Sequence, residues 1–179
     1  MTPMFTVHAG EYLVANYIES KFCRNHGVRV WVPSKDDGID LLVTNKDCRE
    51  AVSLQVKFSK NYINGGDCNS SGWWQIKNDK LKYSNADYWV FVMPEFTADR
   101  KNKDTLFLSI PPHELLNRLL KIFGFQQQYT VYFARRNASV VLTRGLKKKE
   151  VQGLFDTPQG NRDFSRYLNN FEEVLKRVL

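Results

Sequence analysis

Two short alternating stretches, Ile39–Thr44 (IDLLVT) and Ala51–Phe58 (AVSLQVKF), limit what this chain can fold into more than any other feature. Successive side chains of a strand point to opposite faces. Ile39, Leu41 and Val43 therefore share one face of the first stretch, and Val52, Leu54, Val56 and Phe58 share one face of the second. Both faces are apolar, and the polar run Asn45–Glu50 between them is a hairpin turn. If the two apolar faces enter one core, even-numbered residues of the first strand must pair with odd-numbered residues of the second, because a slip of one residue would turn a strand inside out. Pairing Asn45 with Glu50 sets Asp40 opposite Gln55 and Gly38 opposite Lys57. Asp40, Gln55 and Lys57 then converge on one face, near the strand ends remote from the turn.

Upstream, Val7, Val14, Ile18 and Phe22 recur near a 3.6-residue period and predict a helix from about Phe5 to Asn25, ended by Gly27. A short strand over Val28–Val32 follows, stopped by Pro33. Ser59–Gly72, rich in Gly, Asn and Ser, reads as a mobile loop. Beyond it the pattern predicts a short helix around Lys77–Ser84 and strands in DYWVFVMP and TLFLSIP. A helix opened by Pro111 and Pro112 and a strand pair turning at Arg136 and Asn137 come next, and Phe164–Leu179 reads as an amphipathic terminal helix. No repeat, low-complexity tract or linker interrupts residues 1–179, so one domain of α/β or α+β class is expected.

The chain has 179 residues, 42% of them hydrophobic, enough to bury a core without staples. No apolar run approaches a bilayer span and the start lacks a signal-peptide pattern, so no membrane association is expected. Cys23, Cys48 and Cys68 are odd in number and form no C-x-x-C pair, which argues against disulfides and thiolate zinc and for a reducing cytoplasm. The net charge of +7 favours a polyanionic partner, nucleic acid first. Phosphate-loop, nucleophile-elbow and dinucleotide fingerprints are missing, which speaks against a nucleotide cofactor and acyl chemistry.

One further residue bears on the hairpin cluster. Glu11 falls on the helical stripe where an apolar residue is expected, and a carboxylate turned toward a core needs a partner; a frayed first turn that lets Glu11 reach solvent, or a structural salt bridge, would also account for it. With GEYLVANYI on the opening helix, DDGIDLLV on a strand and LQVK on the next, the chain resembles the PD-(D/E)xK nuclease superfamily, in particular Mrr-type endonucleases and Holliday junction resolvases. The resemblance covers roughly residues 5–60 and leaves 73–179 as additional strands and helices. It implies a restriction endonuclease-like αβββα core, a mixed central sheet flanked by helices, and a site made of Glu11, Asp40, Gln55 and Lys57. Ile39 stands in place of the name-giving proline, and Gln55 in place of the usual carboxylate, which makes a weaker ligand for a hard cation.

The implied function is Mg²⁺-dependent hydrolysis of DNA phosphodiester bonds, with Mn²⁺ as a substitute cation. Glu11, Asp40, the Gln55 amide oxygen and the Val56 carbonyl would hold the cation. Lys57 would orient or deprotonate the attacking water, or neutralise the developing charge. Asp36 and Asp37 are read as turn residues rather than ligands. Candidate phosphate contacts are Gln75, Lys77 and Lys80 just after the hairpin, Arg135 and Arg136 at the second turn, and Lys147 and Lys148 in the run RGLKKKE. A homodimer is a further expectation of the resemblance, since one site cuts one strand, with the terminal helix packing on the core. The rival readings are a nucleic-acid-binding module of the same fold, with Gln55 too weak a ligand for catalysis, and an RNA-directed nuclease.

Overall fold

The computed structural model describes residues 4–34, 37–59, 70–96 and 102–179, with the side chains of 4–8, 94–96 and 102–104 left aside. In chain order the elements are α1 (Met4–Ile18), α2 (Arg24–His26), β1 (Arg29–Trp31), β2 (Leu41–Thr44), β3 (Ala51–Phe58), β4 (Ser70–Lys77) and α3 (Asn78–Lys82). They continue with β5 (Tyr88–Phe96), β6 (Asn102–Ile110), α4 (Pro112–Phe123), β7 (Gln128–Arg136), β8 (Ser139–Leu142), α5 (Lys148–Asp156) and α6 (Phe171–Val174). A π-helical turn, Glu19–Cys23, joins α1 to α2. The helix stops where expected: Gly27 adopts φ 70°, a left-handed conformation that glycine takes without a Cβ clash.

The protein is a mixed α/β (α+β) structure, and its described residues form two sheets. The larger has the order β1-β2-β3-β5-β6, antiparallel throughout except that β3 and β5 run parallel, a pairing reached by a crossover through β4 and α3. The smaller is the antiparallel sheet β4-β7-β8. Strand parity decides what lies on each face of the large sheet. Trp89, Phe91 and Met93 of β5 enter a core shared with Trp74, Tyr129, Phe133 and Phe164, so the small sheet covers this face. Val90 and Val92 instead join Val14 and Ile18 of α1 and Phe171 and Val174 of α6. α1 and α6 therefore cover one face, and the small sheet together with α3 and α4 covers the other. Between the sheets Phe133 meets Trp74, Phe91 and Phe164 with ring centroids 5.9, 5.3 and 5.0 Å away, separations at which tilted aromatic pairs attract.

Several expectations are corrected. The terminal segment is not one helix: a 3₁₀ turn at Ser165–Tyr167 precedes the short α6, because the chain breaks off to dock on β6. Asn169 takes φ 51°, its amide donates to the Phe107 carbonyl at 2.7 Å, and its side-chain oxygen accepts the Phe107 amide at 2.9 Å. The expected loop Ser59–Gly72 gives way to β4 from Ser70, and its residues 60–69 lie outside the described set. β2 begins at Leu41 rather than Ile39. The second hairpin turns at Asn137 and Ala138, and α5 forms where only a basic run was read.

Candidate active site

The hairpin takes the register its alternation requires. Leu41 pairs with Leu54, Val43 with Val52 and Thr44 with Ala51, and the Asn45 amide donates to the Glu50 carbonyl at 3.2 Å. Leu41, Val43, Val52 and Leu54 are buried in the core beneath α1. The ladder stops one residue short of Asp40, and there the side chain replaces the main chain. The Asp40 amide still donates to the Leu54 carbonyl at 2.9 Å, but the next amide of β3, Val56, donates to Asp40 Oδ2 at 2.6 Å. The same oxygen accepts a hydrogen bond from Gln55 Nε2. One carboxylate oxygen thus closes the end of the ladder and fixes the Gln55 amide, and charge-assisted bonds of this kind are stronger than neutral ones.

That arrangement orients the other oxygens. With its nitrogen on Asp40, Gln55 turns Oε1 toward Gly38, where a Cβ would stand 3.7 Å from it. Gly38 has φ +82°, a conformation that suits glycine, and it lies beyond the paired ladder. The N–H and C=O of one extended residue point to the same strand edge, so the Val56 carbonyl is directed to the edge that carries Asp40.

Gln55 and Lys57 stand on the face of β3 turned toward the small sheet, and Gln55 is buried at 8% exposure. The Lys57 ammonium lies over the Trp89 ring, 5.1 Å from its centroid. Both residues line a cleft of about 550 Å³ that Gln75, Lys77 and Lys80 also line. The structure thereby gathers five of the residues singled out from sequence into one basic cleft. Asp37 lines it as well, whereas Asp36 lies outside the described residues.

Glu11 belongs to α1, which packs on the opposite face of the sheet. α1 packs on the side of Val56, and at Gly10 it approaches so closely that a Cβ there would sit 2.8 Å from Cβ of Phe58. Any larger residue would push helix and strand apart. The contact brings the turn of α1 that carries the half-buried Glu11 against the end of β3 at Phe58.

The other basic candidates are not gathered there. Ser70 pairs with Arg135, five residues along β4 from Gln75, or about 17 Å of strand. Arg135 Nε donates to the Asn137 carbonyl at 2.6 Å, and Arg136 donates to Asp156 at 2.5 Å while lying over Phe155. Lys147 and Lys148 are exposed at the start of α5. Sequence reasoning also missed Trp89 and Tyr83, which line the cleft. Trp89 gets there through the parallel pairing of β3 with β5, for which neither strand carries a local signal.

Among the described residues no group of three His, Cys, Asp or Glu could hold a metal. The donors expected from the sequence, Glu11, Asp40, the Gln55 amide oxygen and the Val56 carbonyl, are hard oxygens of the type Mg²⁺ takes, and of these the structure brings Asp40, Gln55 and Val56 together. The hydrogen bond between Gln55 and Asp40 gives a direct test. Gln55→Glu sets a second carboxylate against Asp40 in a buried position. In EDTA the variant should be less stable than the parent by about 2–3 kcal/mol, and Mg²⁺ should recover most of that loss. Thermal unfolding with and without Mg²⁺ measures it, and equal stability of parent and variant in EDTA would refute the contact.

Among the described residues no helix is long and apolar enough to cross a membrane. Compared with family models, curated proteins and solved structures, the chain matches none of them.

Proposed function

We propose that this chain is a metal-dependent endonuclease that hydrolyses phosphodiester bonds of DNA in the cytoplasm, a member of the PD-(D/E)xK superfamily that it resembles. The observation that carries the reading is Asp40, held at the end of β2 by the Val56 amide and by Gln55, with Lys57 on the same face of β3 opening into a basic cleft. The order helix, three antiparallel strands, then a parallel fourth strand beside the third agrees with the core that the resemblance implies.

Asp40, the Gln55 amide oxygen, the Val56 carbonyl and Glu11 would hold Mg²⁺ or Mn²⁺. When bound, the cation supplies Lewis-acid polarisation of the phosphate and a more acidic water. Lys57 presents a positive charge where the phosphate enters, and Gln75, Lys77 and Lys80 lie along the same cleft to position the backbone. Trp89 under the Lys57 ammonium restricts its swing.

One observation favours the rival reading of a binding module without catalysis: the Gln55 amide nitrogen donates to Asp40 Oδ2 and so takes up an oxygen that a cation would need. Purified protein incubated with Mg²⁺ or Mn²⁺ and with plasmid, branched and single-stranded DNA and RNA separates the cases. Cleavage of DNA that EDTA stops is the expected result. Binding without cleavage on every substrate establishes the module, and cleavage of RNA alone establishes an RNA-directed enzyme.

A further inference from the structure

The cleft of Lys57 does not end at Lys80. A second groove, of about 490 Å³, shares Lys77 and Tyr83 with it and continues past Lys82 to Phe125, Gln127 and Gln128. Its two aromatic rings are among the most exposed of the described residues, Tyr83 at 71% and Phe125 at 77%. The backbone that carries both rings is anchored. The buried Tyr129 hydroxyl donates to the Gly124 carbonyl at 3.0 Å and accepts from the Gln126 amide at 3.4 Å, so it clamps the chain on both sides of Phe125. The same hydroxyl accepts Asn78 Nδ2 at 3.3 Å, and the Asn78 amide donates to the Gln127 carbonyl at 2.9 Å. α3, which leads into Tyr83, is thereby tied to the loop that holds Phe125 out. Four lysines, Lys57, Lys77, Lys80 and Lys82, line the joined grooves against two aspartates, Asp37 and Asp79.

An exposed ring on an anchored backbone beside a lysine-lined track suits a ligand with flat apolar faces and a polyanionic backbone. The bases of a duplex are stacked on one another, so only an unpaired base can settle on such a ring. A second copy of the chain would bring the same lysines face to face. We infer that the groove from Lys77 to Phe125 binds a single-stranded stretch of DNA, its bases stacked on Tyr83 and Phe125 and its phosphates on Lys77 and Lys82, leading to the Lys57 cleft. The inference rests on the nuclease reading for what lies at the end of the track, and it selects substrates with an unpaired strand over blunt duplex.

Fluorescence anisotropy in EDTA with labelled oligothymidylate, an oligouridylate and a blunt duplex tests the groove apart from cleavage. The oligothymidylate should bind more tightly than the duplex. Tyr83→Ala and Phe125→Ala should each weaken that binding on the order of tenfold, leave duplex binding unchanged and leave the melting temperature in place, while Tyr83→Phe retains the parent affinity. Lys82→Ala should lower the salt slope by about 0.7. Equal affinity for duplex and oligothymidylate, or both ring variants binding like the parent, overturns the inference, and binding of oligouridylate alone overturns its DNA assignment. A protein that binds as expected but cuts nothing with Mg²⁺ refutes the nuclease reading and leaves the groove. One that cuts blunt and single-stranded DNA alike, indifferent to the two rings, refutes the groove alone.

Discussion

Asp40→Ala should destabilise the protein by about 2–4 kcal/mol, because it strips the acceptor from two buried donors at once. Val56 and Gln55 are each 8% exposed, so water replaces the lost carboxylate poorly at the Val56 amide and the Gln55 nitrogen. For a domain of this size the loss corresponds to a fall in melting temperature of roughly 5–15 °C, read by thermal unfolding under circular dichroism. Asp40→Asn separates structure from chemistry. Its amide oxygen can still accept the Val56 amide, so it should keep at least half of the lost stability, yet it lacks the negative charge and should not support cleavage. Asp37→Ala, on an exposed neighbour, should leave stability unchanged within about 0.5 kcal/mol. A melting temperature unaltered in Asp40→Ala would show that the carboxylate does not close the end of the ladder.

The contrast between Asp40 and Asn169 shows which parts of this structure a sequence can reveal. The pairing of Leu41 with Leu54 was legible because both strands have one apolar face, and parity then leaves a single family of registers. The meeting of Asp40 with Gln55 follows from that register, although the side chain rather than the backbone makes the contact. Asn169 gave no such signal. Its left-handed backbone is held by the Phe107 amide, a partner 62 residues away, so an apolar helical period over the C-terminal segment was misleading. β4 was hidden for a related reason. Gly72 reads as loop composition, yet it is needed because the Trp74 ring folds over it, 2.5 Å from where a Cβ would stand. The exposure of Phe125 depends on the Tyr129 hydroxyl gripping a loop at Gly124 and Gln126, and periodicity carries no trace of that clamp.

These long-range contacts also divide the site into parts with different origins. The Asp40–Gln55–Val56 corner is local to one hairpin and forms with it. The position of Glu11 depends on α1 meeting β3 at Gly10 and Phe58, and the cleft wall depends on β4 and α3 folding across the large sheet. Substitutions in the corner should therefore affect stability and chemistry together. Substitutions on the exposed wall, at Gln75, Lys77 or Lys80, should change binding while leaving the fold alone.

Lys57→Met is expected to remove activity while sparing the fold, with cleavage slowed by about 10²–10⁴-fold. Methionine keeps a long apolar stem against Trp89 and loses only the ammonium, whose attraction to the ring amounts to about 0.5–2 kcal/mol. Oligonucleotide affinity in EDTA should fall by only a few-fold, since Lys77, Lys80 and Lys82 remain along the track. Lys57→Arg then distinguishes the two roles the ammonium can play. If it neutralises charge that develops on the phosphate, arginine supplies the same charge and restores a substantial fraction of the rate. If it takes a proton from water, arginine fails, because a guanidinium stays protonated at any pH the fold withstands. Single-turnover rates against pH read the difference: a rising limb present in the parent and absent in Lys57→Arg identifies proton transfer. A Lys57→Met protein that cuts at the parental rate would remove Lys57 from the chemistry.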